Sequence, residues 1–124
     1  MTNKITSKKV LYYVSTLIIA LLVGIVGGVV DILQTEAVVN TAQSLGYPLY
    51  FFVLLGIFKI LGAIALFLPK KFDKLRDIAY TGFAFDFIFA SFSHYSVGDG
   101  FMKVIVPLIF LALLALSYSL KNRI

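Results

Sequence analysis

The sequence predicts an all-α membrane protein: a four-transmembrane-helix bundle with a short interfacial amphipathic helix between helices 1 and 2. The whole chain, residues 1–124, reads as a single integral membrane domain. Composition is the first reason. With 60% hydrophobic residues in 124 and a mean hydropathy of +0.99, the chain lacks the polar groups that a small globule needs to cover its surface in water. The second is the presence of apolar runs that, at about 1.5 Å rise per residue, are long enough to cross a hydrocarbon core of roughly 30 Å. The third is the placement of Lys and Arg, which fall almost entirely on one side of a four-span count.

The first span covers residues 10–30 and contains no charge. It follows Lys4, Lys8 and Lys9, as a secretory signal would, but its apolar stretch is too long and lacks a small-residue cleavage site, so it reads as a retained anchor. Between this span and the next, Val38, Ala42 and Leu45 recur at helical spacing among Gln34, Thr35, Glu36, Asn40, Gln43 and Ser44. That pattern predicts an amphipathic helix lying in the outer interface, stopped by Gly46, with Pro48 opening the second span.

The second span, residues 48–68, is broken only by Lys59, and a basic loop over residues 69–77 leads to a third and weaker run, residues 78–95. The third carries Asp86 and ends at His94. A tight turn over residues 96–100 precedes the fourth span, residues 102–120, where Pro107 cannot donate to the carbonyl of Lys103 and predicts a kink.

Basic residues set orientation. Lys4, Lys8, Lys9, Lys70, Lys71, Lys74, Arg76, Lys121 and Arg123 all fall on one side, whereas the opposite connections hold Asp31, Glu36 and Asp99 with only Lys103. Both termini are therefore expected in the cytoplasm. The net charge of +5 consists largely of residues flanking spans, which excludes a soluble basic face and a nucleic-acid partner; the partner is the lipid bilayer.

Lys59 and Asp86 are the strongest functional clue. Each would cost on the order of 2.5 to 3.5 kcal/mol at the centre of an inserted helix, so such residues face a bundle interior and often mark a site. Lys59 has Gly56, Gly62 and Ala63 as helical neighbours, and Asp86 has Gly82 and Ala90, so each charge lies on a small-residue face. The short connection makes the two helices antiparallel neighbours and predicts a Lys59–Asp86 pair at mid-depth, structural or functional. Phe85, Ile88, Phe89 and Phe92 then point to lipid or fill gaps. Gly24 and Gly28 form a small-xxx-small pair that suits either a homodimer or internal packing.

His94 is eight residues beyond Asp86, within about a quarter turn of the same face. Asp31 is expected to end span one at the level of His94, forming an outer vestibule, with Glu36 and Asp99 as further carboxylates in the adjacent loops. A carboxylate partner would favour protonated His94. The alternative is an interfacial histidine capping its helix. The absence of cysteine excludes disulfide exchange, thiolate catalysis and thiolate metal sites. A single histidine with scattered carboxylates has no metal-ligand spacing, and Ser91 and Ser93 sit in no nucleophile elbow.

In order along the chain, LGYPLY (residues 45–50), LGIFKILG (55–62), LFLP (66–69), LRDIAYTGFAFD (75–86) and SHYSVGD (93–99), with Gly28 and Asp31 ahead of them, resemble the DoxX-like membrane proteins. The resemblance covers about residues 28–99. It implies a compact bacterial four-helix protein of the inner membrane, and it draws attention to Lys59, Asp86, Ser93, His94, Gly98 and Asp99 without a settled catalytic role for any of them. The broader superfamily includes subunits proposed to work with quinone-linked oxidation or membrane redox complexes, and eukaryotic cargo or assembly factors.

Three functions are thus open. One is a ligand-binding or accessory subunit with a pocket floored by Lys59 and Asp86 and lined outside by Asp31, His94, Tyr47, Tyr50 and Tyr95, holding no intrinsic cofactor but a quinone or lipid-like ligand. Another is a redox-complex partner exchanging protons with a quinone. The third is an assembly factor with no ligand chemistry. A transporter is disfavoured, because a monomer of this length has no visible repeat for alternating access.

Overall fold

The computed structural model describes residues 7–121, so Lys4 and Arg123 of the basic flanks lie outside the described residues. All regular structure among these residues is helical. Helix α1, Ser7–Leu33, passes through a π-helical stretch over Ile18–Val26. It ends at Gln34, which adopts a left-handed conformation (φ 53°). Helix α2 is Glu36–Leu45, α3 is Leu49–Leu66 and α4 is Asp73–Ser96, reached through a single 3-10 turn at Lys70–Phe72. Helix α5 is Phe101–Leu120.

The long helices close a ring. The first half of α1 packs on α5 and its second half on α3, α3 packs on α4, and α4 packs on α5. The π-helical stretch of α1 itself packs mainly on α3 and carries Gly24. One cross-link fixes the first contact, a 2.5 Å hydrogen bond shared by Thr16 Oγ1 and Ser117 Oγ, and Ser117 Oγ shares another of 2.7 Å with Tyr80 OH, tying α5 to α4. The second contact is a glycine seam. A Cβ on Gly28 would stand 2.7 Å from the Gly56 carbonyl oxygen, and one on Gly24 would stand 2.6 Å from the Ala63 Cβ, so only glycine permits this approach. Gly24 and Gly28 therefore serve internal packing.

The distribution of polarity is the reverse of a soluble protein. Ser15, Thr16 and Ser117 are among the most deeply buried side chains, whereas Phe58, Ile64, Ile78, Phe89, Phe92 and Met102 are exposed. Such a continuous apolar exterior suits hydrocarbon and would aggregate in water. Inside, the hydroxyls bond one another or, for Ser15, the carbonyls of Leu11 and Tyr12, as groups removed from water must.

Among the described residues, only α1, α3 and α5 are both long and apolar enough to count as membrane spans by composition. The expectation of four is corrected to three clear spans plus α4. The reason lies at the start of α4: residues 73–77, expected in a loop, are helical and contribute Asp73, Lys74, Arg76 and Asp77, and Asp86 follows within the same helix. Its 24 residues would still extend about 36 Å. Helix α2 forms as the periodicity predicts, burying Val38 and Ala42 next to Phe52 and ending at Gly46 with φ 80°. Pro107 lies within a continuous α5.

Candidate functional site

Lys59 stands at the junction of α1, α3 and α4. Its Nζ donates a 2.8 Å hydrogen bond to Asp31 Oδ2 on α1 and lies 4.0 Å from Asp86 Oδ2 on α4. Both carboxylates and the ammonium are largely buried. The glycine seam creates this meeting. With α1 drawn against α3, Asp31 comes beside Gly56, where an added Cβ would lie 3.1 Å from that of Asp31, and the Lys59 ammonium passes 3.8 Å from the Cβ position of Gly27.

The expected Lys59–Asp86 ion pair is present, and Asp31 joins it as a closer partner. Lys59 donates its hydrogen bond to Asp31, which therefore belongs to the Lys59 cluster and not beside His94. Helix α1 ends at Leu33, so Asp31 stands in its last turn, at the end of the first span. His94 finds its carboxylate elsewhere: Nδ1 is 2.6 Å from Asp99 Oδ2, across the turn between α4 and α5. Gly98, with φ 78°, gives that turn its left-handed step, and the Asp99 amide closes it by donating to the His94 carbonyl at 2.9 Å.

Two cavities flank Lys59 and Asp86 along the α3–α4 contact. The larger, of about 500 Å³, runs from His94 and Tyr47 past Phe52 and Phe89 to Lys59 and Asp86. The smaller, of about 380 Å³, extends the other way toward Leu75 and Ile78. Gly82 borders both, and a Cβ built there meets nothing within 4 Å. Tyr47 OH and Ser93 Oγ share a 2.5 Å hydrogen bond at the His94 end. Tyr50 and Tyr95, expected in the lining, are instead strongly exposed and border neither cavity, and Asp31 does not line them either. Among the described residues no three acidic or histidine side chains gather in a manner that could hold a metal ion.

A second polar cluster, at the opposite end of the bundle, had no visible sequence signal. Arg76 Nη2 donates to Tyr12 OH at 3.2 Å and Nη1 lies 3.4 Å from Asp73. Lys121 donates a 2.8 Å hydrogen bond to Asp73 and lies 3.3 Å from Asp77. The hydrogen bond from Lys121 holds the Asp73 carboxyl below its ordinary range, with burial opposing and the charges of Lys121, Arg76 and Lys70 assisting. Burial works to lower the Lys121 pKa, but the hydrogen bonds and charges of Asp73 and Asp77 outweigh it, and the net shift is upward. Partners 48 residues apart become visible only once α5 returns along α4.

An all-helical bundle with an apolar exterior and ionic groups gathered inside defines a small membrane protein. The DoxX-like family model matches residues 14–117, most of the chain, and the protein belongs to that family. No curated protein and no solved structure matches it.

Proposed function

We propose that the protein is a ligand-binding or accessory subunit of the bacterial inner membrane, and that the larger α3–α4 cavity holds a small amphipathic molecule. In this reading α4 is the fourth crossing, α2 lies in the outer interface, and both termini are cytoplasmic, which places His94 and Tyr47 toward the outside. The observation that carries the reading is the cavity itself. Its volume of about 500 Å³ falls in the range of small-molecule sites, roughly 300 to 1,000 Å³, and it has the composition of such sites, mostly apolar with a few convergent polar groups. Ionic groups at this depth are costly, which supports a role beyond packing.

A redox-complex partner is the second reading, and the His94–Asp99 contact favours it. Asp99 engages Nδ1 and leaves Nε2 without a partner among the described residues, so the ring is oriented to exchange a proton with a quinone at the cavity mouth while electrons come from another protein. The experiment is mass spectrometry of organic extracts from the purified wild-type protein and from His94→Ala. A stoichiometric small molecule in the wild type that is depleted in the variant supports binding. Equal retention by both would remove His94 from the site, and no bound molecule in either would favour an assembly factor without ligand chemistry.

A further inference from the structure

The ionic cluster beneath the cavity is not balanced. It contains one ammonium, Lys59, and two carboxylates, Asp31 and Asp86. Lys59 is drawn to Asp31, with which it shares a hydrogen bond at 2.8 Å, and only approaches Asp86 Oδ2 at 4.0 Å, beyond hydrogen-bond range. Among the described residues, Asp86 accepts no hydrogen bond, and its carboxylate borders the cavity. With Lys59 and both carboxylates ionised, the cluster carries one excess negative charge beside a largely apolar space.

We propose that the larger cavity selects an amphipathic ligand with a cationic head, a lipophilic amine or quaternary ammonium, seated against Asp86. This deepens the preceding reading and rests on it. Two features converge on that chemistry. A cation supplies the charge the cluster lacks, restoring neutrality where uncompensated charge is most costly. The walls above Asp86 include the rings of Phe52, Phe85, Phe89 and Tyr47, and aromatic faces attract cations, quaternary ammonium groups in particular, most strongly when water is excluded. Lys59 also borders the cavity, but its ammonium is bonded to Asp31, and Asp31 itself lines neither cavity, so Asp86 is the carboxylate a ligand meets. A neutral ligand would leave the excess charge unanswered, and an anion would add to it.

The test compares benzyltrimethylammonium, its neutral carbon isostere neopentylbenzene, and a short-chain benzoquinone as additives in thermal unfolding of the detergent-solubilised protein, because a ligand that binds only the folded state raises the melting temperature. The expected result is an upward shift with the ammonium and none with the isostere. The shift should be lost in Asp86→Asn and kept in Asp86→Glu, with the apparent dissociation constant weakened about tenfold or more by loss of the charge. The comparison of probes on the wild type decides the matter even if Asp86→Asn fails to fold. Equal shifts from ammonium and isostere would overturn the charge selection, as would an ammonium shift that survives in a folded Asp86→Asn. A shift with the quinone alone would overturn the cationic head while leaving the cavity as a binding site. No shift with any probe would overturn it too, and the extract analysis would then judge the binding reading separately.

Discussion

At the scale of single residues, the protein turns on which carboxylate Lys59 holds. The 2.8 Å bond to Asp31 against the 4.0 Å approach to Asp86 makes Asp31 the counter-ion. Removing Lys59 alone leaves two buried carboxylates together, and Lys59→Met should cost about 3 to 5 kcal/mol, as for other broken buried pairs. Removing Asp31 with it relieves the repulsion. In a double-mutant cycle the coupling of Lys59 to Asp31 should exceed that to Asp86, within the roughly 0.5 to 3 kcal/mol found for groups in contact. Detergent unfolding of Lys59→Met, Asp31→Leu, Asp86→Leu and the two doubles measures both, and a larger coupling to Asp86 would contradict the geometry. Much of this site was legible in sequence. Charges within apolar runs must find partners, so Lys59 and Asp86 marked themselves. Asp31 was expected beside His94 and not as the partner of Lys59, because that pairing depends on how closely α1 approaches α3. The partner of His94 was named only as one of several nearby carboxylates, since helical periodicity says nothing about a turn such as 97–100.

At the scale of helices, two contacts make distinct demands. The α1–α3 seam leaves no room for a methyl group at Gly28, where the obstruction is the Gly56 backbone. Gly28→Ala should therefore lose about 1 to 3 kcal/mol through overpacking. Gly82→Ala, in open space, should be neutral or gain about 0.5 to 1 kcal/mol from helix propensity; the pair of melting curves checks both. The α4–α5 contact depends on pH. Because the folded pKa of Asp73 is lowered, its contribution is present above its ordinary carboxylate pKa and is lost as pH falls through the folded value. Because that of Lys121 is raised, its contribution is full below its ordinary pKa and is lost as pH rises through the folded value. Melting temperature against pH should thus be highest between those limits, and Lys121→Met should weaken both flanks. A profile unchanged in Lys121→Met would remove the clamp. The helices themselves were legible from hydropathy, including α2. The clamp was not: Lys121 and Arg76 carry the same residue types that signal membrane topology, and nothing local distinguishes a buried cation from a flanking one.

At the scale of the whole molecule, the ring of α1, α3, α4 and α5 places the Arg76 cluster at one end and the His94 turn at the other. If α4 is the fourth crossing, those ends lie on opposite sides of the membrane, with the basic end inside. The absence of cysteine makes this directly measurable. A single cysteine replacing Asn40 should react with an impermeant maleimide added to intact cells, and one replacing Lys71 should react only after lysis; the reverse pattern would invert the protein. The central claim is that the space between α3 and α4 is a binding cavity. The most direct measurement compares ligand retention, by native mass spectrometry, in wild type and Gly82→Leu, whose added side chain projects into space shared by both cavities. The expected result is a bound small molecule in the wild type and none in a variant that melts at an undiminished temperature. A Gly82→Leu protein that keeps the same molecule at full occupancy would contradict the claim.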